Sequence, residues 1–234
     1  MFIGTKLSIK RKINNQMDFN LKSEFILKNP NFRLYNLPIP LIGLTGGIST
    51  GKSTVAEILK AQGFQIISAD KLVKSIYATK EAYQFVQNNY PQVIENNQIN
   101  FKKYRELVFS DSRIKSNVEQ FIYSKMPKFF NDTLKQILLS HPNTKCIIYD
   151  VPLLFEKSLD KKVDLSVCVY LPRHDQINRL MLRDNISKEL AEKILNEQID
   201  IDLKKSKANA VIDNSGDEHR LKAEVLLFIN KYFN

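Results

Sequence analysis

At 234 residues the chain can hold one α/β domain with a substantial core, with or without a small insertion, but two unrelated domains would be cramped. Hydrophobic residues make up 43% with only 7 Gly and 8 Pro, which is a globular composition, and no stretch approaches the roughly 18 continuous apolar residues of a membrane span. The net charge of +10 is compatible with nucleic acid, an anionic surface or polyphosphate substrates; its lysines are spread along the chain, so the default is a solvated basic surface and no nucleic-acid partner follows.

Residues 1–39 carry no strong periodicity. Lys6, Lys10, Arg11 and Lys12 precede the first acid, Asp18, a faint likeness to a mitochondrial presequence. Few serines and a weak amphipathic pattern favour a disordered or loosely docked extension instead. From Leu41 onward strand and helix signals alternate, which predicts a three-layer α/β/α domain over 40–234 with a five-stranded parallel sheet. The strand candidates are 41–44, 64–67, 145–149, 163–171 and 210–212, all short and apolar as buried parallel strands are.

The first strand runs into Gly46-Gly47-Ile48-Ser49-Thr50-Gly51-Lys52-Ser53-Thr54, a complete G-x-x-x-x-G-K-[ST] phosphate-binding loop. Val55, Ile58 and Leu59 then recur at helical spacing, and Gly63 supplies a left-handed stop. In such a loop the backbone N–H groups from Gly47 to Thr54 turn toward phosphate oxygens, and the following helix adds its positive dipole end. Lys52 should reach the β and γ phosphates of a nucleoside triphosphate, and Ser53 should offer its hydroxyl to Mg²⁺.

Asp70 directly follows the second strand, at the carboxyl edge where ligands of open α/β sheets bind. It reads equally as a general base for an acceptor hydroxyl and as the N-cap of a helix over 71–77. Residues 71–141 read as helices broken near Tyr90-Pro91, Ser110-Asp111 and Met126-Pro127, with Pro127 in a first helical turn. This insertion is placed to hold a phosphoryl acceptor, although part of it must simply cover the sheet. Asp150 ends the third core strand as an acid that could join a metal shell through water, or be a buried strand exit.

Arg179 and Arg183 share a helical face in a small lid over about 173–200. They could swing to the triphosphate, or simply pair with Asp175 or Asp184 at the surface. Asp213-Asn214-Ser215-Gly216 is a polar turn at the ligand edge that could touch a purine or only connect strand to helix. The segment 217–232 places Leu221, Val225, Phe228, Ile229 and Tyr232 on one packing face. Cys146 and Cys168 lie in apolar runs as packed thiols, consistent with a reducing, cytoplasmic setting, and His141, His174 and His219 lack ligand spacing.

Over about 41–232 the chain resembles the dephospho-CoA kinase family. The resemblance rests on Leu44-Thr45-Gly46-Gly47-Ile48, Ala69-Asp70, Asp150-Val151-Pro152-Leu153-Leu154-Phe155-Glu156, Gln176 with Arg179 and Arg183, Gln198, and Val211 to Gly216, in that order and spacing. It implies ATP-dependent phosphorylation of the ribose 3′-hydroxyl of dephospho-CoA, the last step of coenzyme A synthesis. It further implies Asp70 as base, Arg183 as the lid arginine, Asn214 to Gly216 near adenine, and a nucleotide core with a helical CoA-binding region and a lid. The partners are then the small molecules ATP and dephospho-CoA, with Mg²⁺, and a monomer is favoured. Three positions depart from the family pattern: Ser68 replaces a usual acid, Ser49-Thr50 a usual Gly-Ser, and Tyr123-Ser124 a His-Pro pair. The rival readings are another phosphate-loop kinase of nucleotides or nucleosides, and a non-catalytic ATP-binding switch.

Overall fold

The computed structural model describes residues 19–234. Five strands form a sheet in the order β2-β5-β1-β6-β7: β1 (Leu41–Gly46), β2 (Ile66–Ser68), β5 (Ile147–Asp150), β6 (Leu165–Tyr170) and β7 (Ala210–Asp213). Every pairing is parallel, with Leu41 opposite Ile147 and Ile42 opposite Leu165 on the two flanks of β1. Alternate side chains of one strand enter different cores. Leu41, Ile147 and Tyr149 face one cluster, while Ile42, Leu44 and Ile148 face the other, which is why these strands read as unbroken apolar runs. Burial lifts both strand-associated thiols, Cys146 and Cys168, to a pKa of about 12, and both are free.

One face carries α1 (Lys52–Ala61) and α9 (Glu218–Tyr232), with Asp217 capping α9 by accepting from the Arg220 N–H at 2.8 Å. The packing face expected for α9 is the buried one. The other face carries α2 (Ala69–Tyr77), α3 (Lys80–Asn89), α4 (Phe101–Ser110) and α5 (Ser112–Ser140). The breaks at Tyr90-Pro91 and at Asp111, which caps α5, fall where expected. A two-stranded ribbon, β3 (Ile94–Glu95) and β4 (Gln98–Ile99), turns on Asn96 and Asn97 at positive φ and had no signal long enough to read.

Pro127 does not start a helix. It lies inside the 29-residue α5, which runs straight through the expected break. An internal proline costs about 3 kcal/mol. The stripe Val118, Ile122, Met126, Phe130 and Leu134, all buried on the sheet, holds both halves in line and offsets it.

Residues 19–39 are also unlike the loose extension expected. Leu21 bridges Phe233 in antiparallel fashion, Phe19 stacks on Phe64 with ring centroids 4.2 Å apart, and Leu34 and Leu37 join the core. Arg33 reaches Asp164 at the start of β6 through Nε at 2.7 Å and Nη2 at 3.2 Å. The same carboxylate accepts the N–H groups of Lys28 and Leu41, each at 2.9 Å. This strap seals the amino-terminal edge of the sheet. The basic cluster Lys6 to Lys12, read as a presequence-like feature, lies outside the described residues.

After β6 come α6 (Arg173–Asp184) and α7 (Lys188–Asn196), joined by a short turn with Asn185 in the left-handed region. Ile177, Leu180, Ala191 and Leu195 form a core of their own, which the phosphate loop enters through Ile48. The return segment α8 (Ile201–Lys207) leads into β7.

Candidate active site

Because β1 lies between β5 and β6, its carboxyl end is the point where chain connections diverge to opposite sides of the sheet. The phosphate loop leaves there. A cavity of about 600 Å³ is lined by Gly46 to Ser53, with Asp70, Pro152, Arg179, Arg183, Asp184 and Gln198 among its other walls. Thus Gly47, Ile48, Ser49, Thr50, Gly51, Lys52, Ser53, Asp70 and Arg183 converge on one space. Thr54, Asp150, Asn214 and Gly216 do not line it.

The loop's shape is held by specific contacts. Gly51 has φ +84°, and a Cβ there would run into the Asn214 amide. That amide donates to the Thr50 carbonyl at 2.7 Å, so Asn214 buttresses the loop from behind. Arg179 in turn donates to the Asn214 carbonyl at 3.3 Å. At Gly47 a Cβ would strike Gln176, whose own amide donates to the Leu171 carbonyl at 2.8 Å. Ser49 sits at φ 62°, where glycine would be unstrained, and its buried hydroxyl has no hydrogen-bond partner among the described residues.

Lys52, in the first turn of α1, is ion-paired with Asp150 at the end of β5, both side chains being mostly buried. Asp70 is the second residue of α2. The capping position belongs to Ser68, so the N-cap reading of Asp70 is corrected, and its carboxylate has no hydrogen-bond or ion-pair partner among the described residues. Arg183 lines the cavity and also grips Asp184, with Nε 2.7 Å and Nη2 2.9 Å from its carboxylate oxygens. Hydrogen bonding from that guanidinium holds the Asp184 carboxyl below its ordinary range. Of the two surface pairings anticipated for the arginines, Asp184 is used by Arg183, while Asp175 faces His174 at 3.3 Å.

The chemistry of the donors fits the expected ligands. Glycines that leave no room for a Cβ, an unpaired buried hydroxyl and a helix amino terminus suit a phosphate chain. Ser53 in the cavity wall and Asp150 at the end of β5 each offer oxygen, the donor type a hard divalent cation takes alongside phosphate oxygens.

The family model for dephospho-CoA kinase matches residues 40–219. The chain belongs to the dephospho-CoA kinase family. It is 36% identical to a dephospho-CoA kinase of Fusobacterium nucleatum over 194 residues, covering 82% of this chain and 98% of the relative. A solved dephospho-CoA kinase of Campylobacter jejuni superposes with TM-score 0.53 at 27% identity, covering 82% and 96% of the two chains. A solved Thermus thermophilus protein, 22% identical, shares the fold with TM-score 0.74 over 82% and 97%.

Lys204 is the residue around this site that the sequence reading missed. It is fully buried under the loop of this dephospho-CoA kinase family member, pairing with Glu156 at 2.7 Å. Its one sequence signal was position: Lys204 falls three residues after Ile201, on the buried side of a short helix otherwise rich in surface lysine.

Proposed function

We propose that the chain transfers the terminal phosphoryl group of ATP to the ribose 3′-hydroxyl of dephospho-CoA, yielding coenzyme A and ADP. One observation carries the assignment of roles: an unpartnered aspartate, Asp70, shares a cavity with a complete phosphate loop and a lid arginine. The loop N–H groups from Gly47 to Thr54 hold the phosphate chain, and Lys52 bridges the β and γ groups. Asp70 takes the proton of the 3′-hydroxyl as that oxygen bonds to the γ-phosphorus. The bond from phosphorus to the β–γ bridging oxygen breaks, and ADP leaves with the electron pair. Arg183, released from Asp184, closes on the transferring group and stabilises its charge.

Ser53, with Asp150 through water, would hold Mg²⁺, which when bound neutralises charge on the β and γ phosphate oxygens. Asn214 supports the loop from outside the cavity, while Gly216 follows it in the turn nearest the nucleotide's base. The helical region α2 to α5 and the 151–156 loop receive the acceptor. A monomer acting on small molecules in the cytoplasm fits this reading.

A coupled ADP-release assay with dephospho-CoA, AMP, UMP and GMP tests it. Dephospho-CoA should be the preferred acceptor, and preference for a monophosphate overturns the assignment. Asp70→Asn should lower kcat by about 10³-fold with ATP affinity nearly intact, the range expected of a lost general base. Unchanged turnover would remove Asp70 from the mechanism.

A further inference from the structure

Lys204 holds an unusual position for a lysine. Its side chain has no solvent exposure, and it projects from α8, the segment by which the chain returns from the lid. An ammonium has three donors, and here two are given to backbone carbonyls while a carboxylate balances the charge. The Nζ donates to the Gly46 carbonyl at 3.3 Å and to the Pro152 carbonyl at 3.0 Å, and it is ion-paired with Glu156 Oε1 at 2.7 Å. Lys204 is fully buried and is not among the residues lining the cavity. It cannot be a substrate contact.

What matters is where the acceptors sit. Gly46 is the last residue of β1, where the phosphate loop begins. Pro152 lies two residues beyond Asp150, the partner of Lys52, and its carbonyl also accepts from Thr45 Oγ1 at 3.0 Å. Glu156 ends the same loop, and its Oε1 further accepts the Ile199 N–H at 3.1 Å. The neighbouring Gln198 closes the circuit, since its Oε1 accepts the Ile48 N–H of the phosphate loop at 3.2 Å. Ile48 is also the loop residue packed into the lid core.

We propose that Lys204, acting through Glu156, is a positioning residue that fixes the phosphate loop, the 151–156 loop and the root of the lid in one register. The donor side, the acceptor side and the closing element of the site then meet at a single buried cation. A buried pair serving stability alone is replaceable by apolar side chains of similar volume, often at no loss. Two strand-exit carbonyls addressed by one ammonium are not, because the apolar pair cannot donate to either. Misplacement by about 1 Å costs catalysis about 100-fold without touching a reacting group.

The inference rests on the phosphotransferase reading above, and the test separates the two. Wild-type turnover of dephospho-CoA is measured first; its absence defeats that reading, while hydrogen exchange of the 47–51 amides still reports on the positioning role. Lys204→Met should lower both the melting temperature and kcat, since it strands a buried carboxylate. The double variant Lys204→Met with Glu156→Met removes both charges. It should recover most of the melting temperature while kcat stays down by about 100-fold, KM for ATP moves little, and the 47–51 amides exchange at least about tenfold faster. If the double variant regains wild-type kcat and exchange along with its stability, the pair is structural only and the proposal fails. Should the methionine variants not fold, Glu156→Gln keeps an acceptor for Ile199 but discharges the partner of Lys204. It should lose kcat by about tenfold with KM for ATP unchanged, and a wild-type kcat in that variant overturns the proposal equally.

Discussion

The two edges of the sheet hold their charges differently. At the amino edge the Asp164 carboxylate has four donors: two from Arg33 and the backbone N–H groups of Lys28 and Leu41. Arg33 and Asp164 are almost completely inaccessible. At the carboxyl edge Asp70 has no partner among the described residues, Ser49 holds a strained backbone with an unpaired hydroxyl, and Arg183 leans on an exposed neighbour. Buried, saturated polar groups make one edge a fixed closure, while the other keeps an exposed, unpartnered carboxylate and an exposed guanidinium beside an open cavity. The same fold stores its rigidity and its reactivity about one strand length apart.

Three substitutions test that contrast. The largest effect should come at the open edge, where Lys52→Met removes the cation proposed to hold the phosphates and leaves Asp150 without its partner. A fall in kcat/KM of about 10³-fold, with a melting temperature lowered by the stranded Asp150 but still above the assay temperature, is the expected result of steady-state assay beside calorimetry. A protein that unfolds instead would mean the Lys52–Asp150 pair belongs to the structure as much as Arg33–Asp164 does. Arg33→Met at the closed edge should do the reverse. Leaving Asp164 buried and short of donors costs about 3 kcal/mol, or roughly 6–12 °C in melting temperature, with KM for ATP unaltered below the transition. A shift in KM would show that the strap communicates with the site.

The smallest effect sharpens the picture most. Ser49→Gly should relieve the left-handed strain at φ 62° and gain up to about 1 kcal/mol, less the backbone entropy that glycine adds to the unfolded chain. Denaturant titration with and without ATP reads it. Stabilisation only with ATP present would mean the loop adopts that conformation on binding rather than before.

The phosphate loop, the five core strands and the α9 packing face were legible because each is local: a spacing, an apolar run, a periodic stripe. Strand limits moved by a few residues, as at Ile66–Ser68 against the expected 64–67, since apolar runs continue past the paired segment. What could not be read was set by distant partners. Pro127 stays helical because the sheet holds both sides of it. Residues 19–39 are ordered because Asp164, far along the chain, waits for Arg33. The bond from the Asn214 amide to the Thr50 carbonyl was not legible either, since it joins residues far apart in the chain. Lys204 looked like surface charge because nothing in its neighbours announces two carbonyls and a carboxylate drawn from β1 and the 151–156 loop.

The backbone pairing of Leu21 with Phe233, flanked by the Asn234 N–H donating to the Asn20 carbonyl at 2.9 Å, has a practical corollary. A dye pair or surface tether at positions 20 and 234 would straddle a single clasp at the amino edge of the sheet, remote from the nucleotide cleft. Tension applied between those handles would open the clasp before it strained the phosphate cradle, so extension traces could register its release as an event separate from turnover.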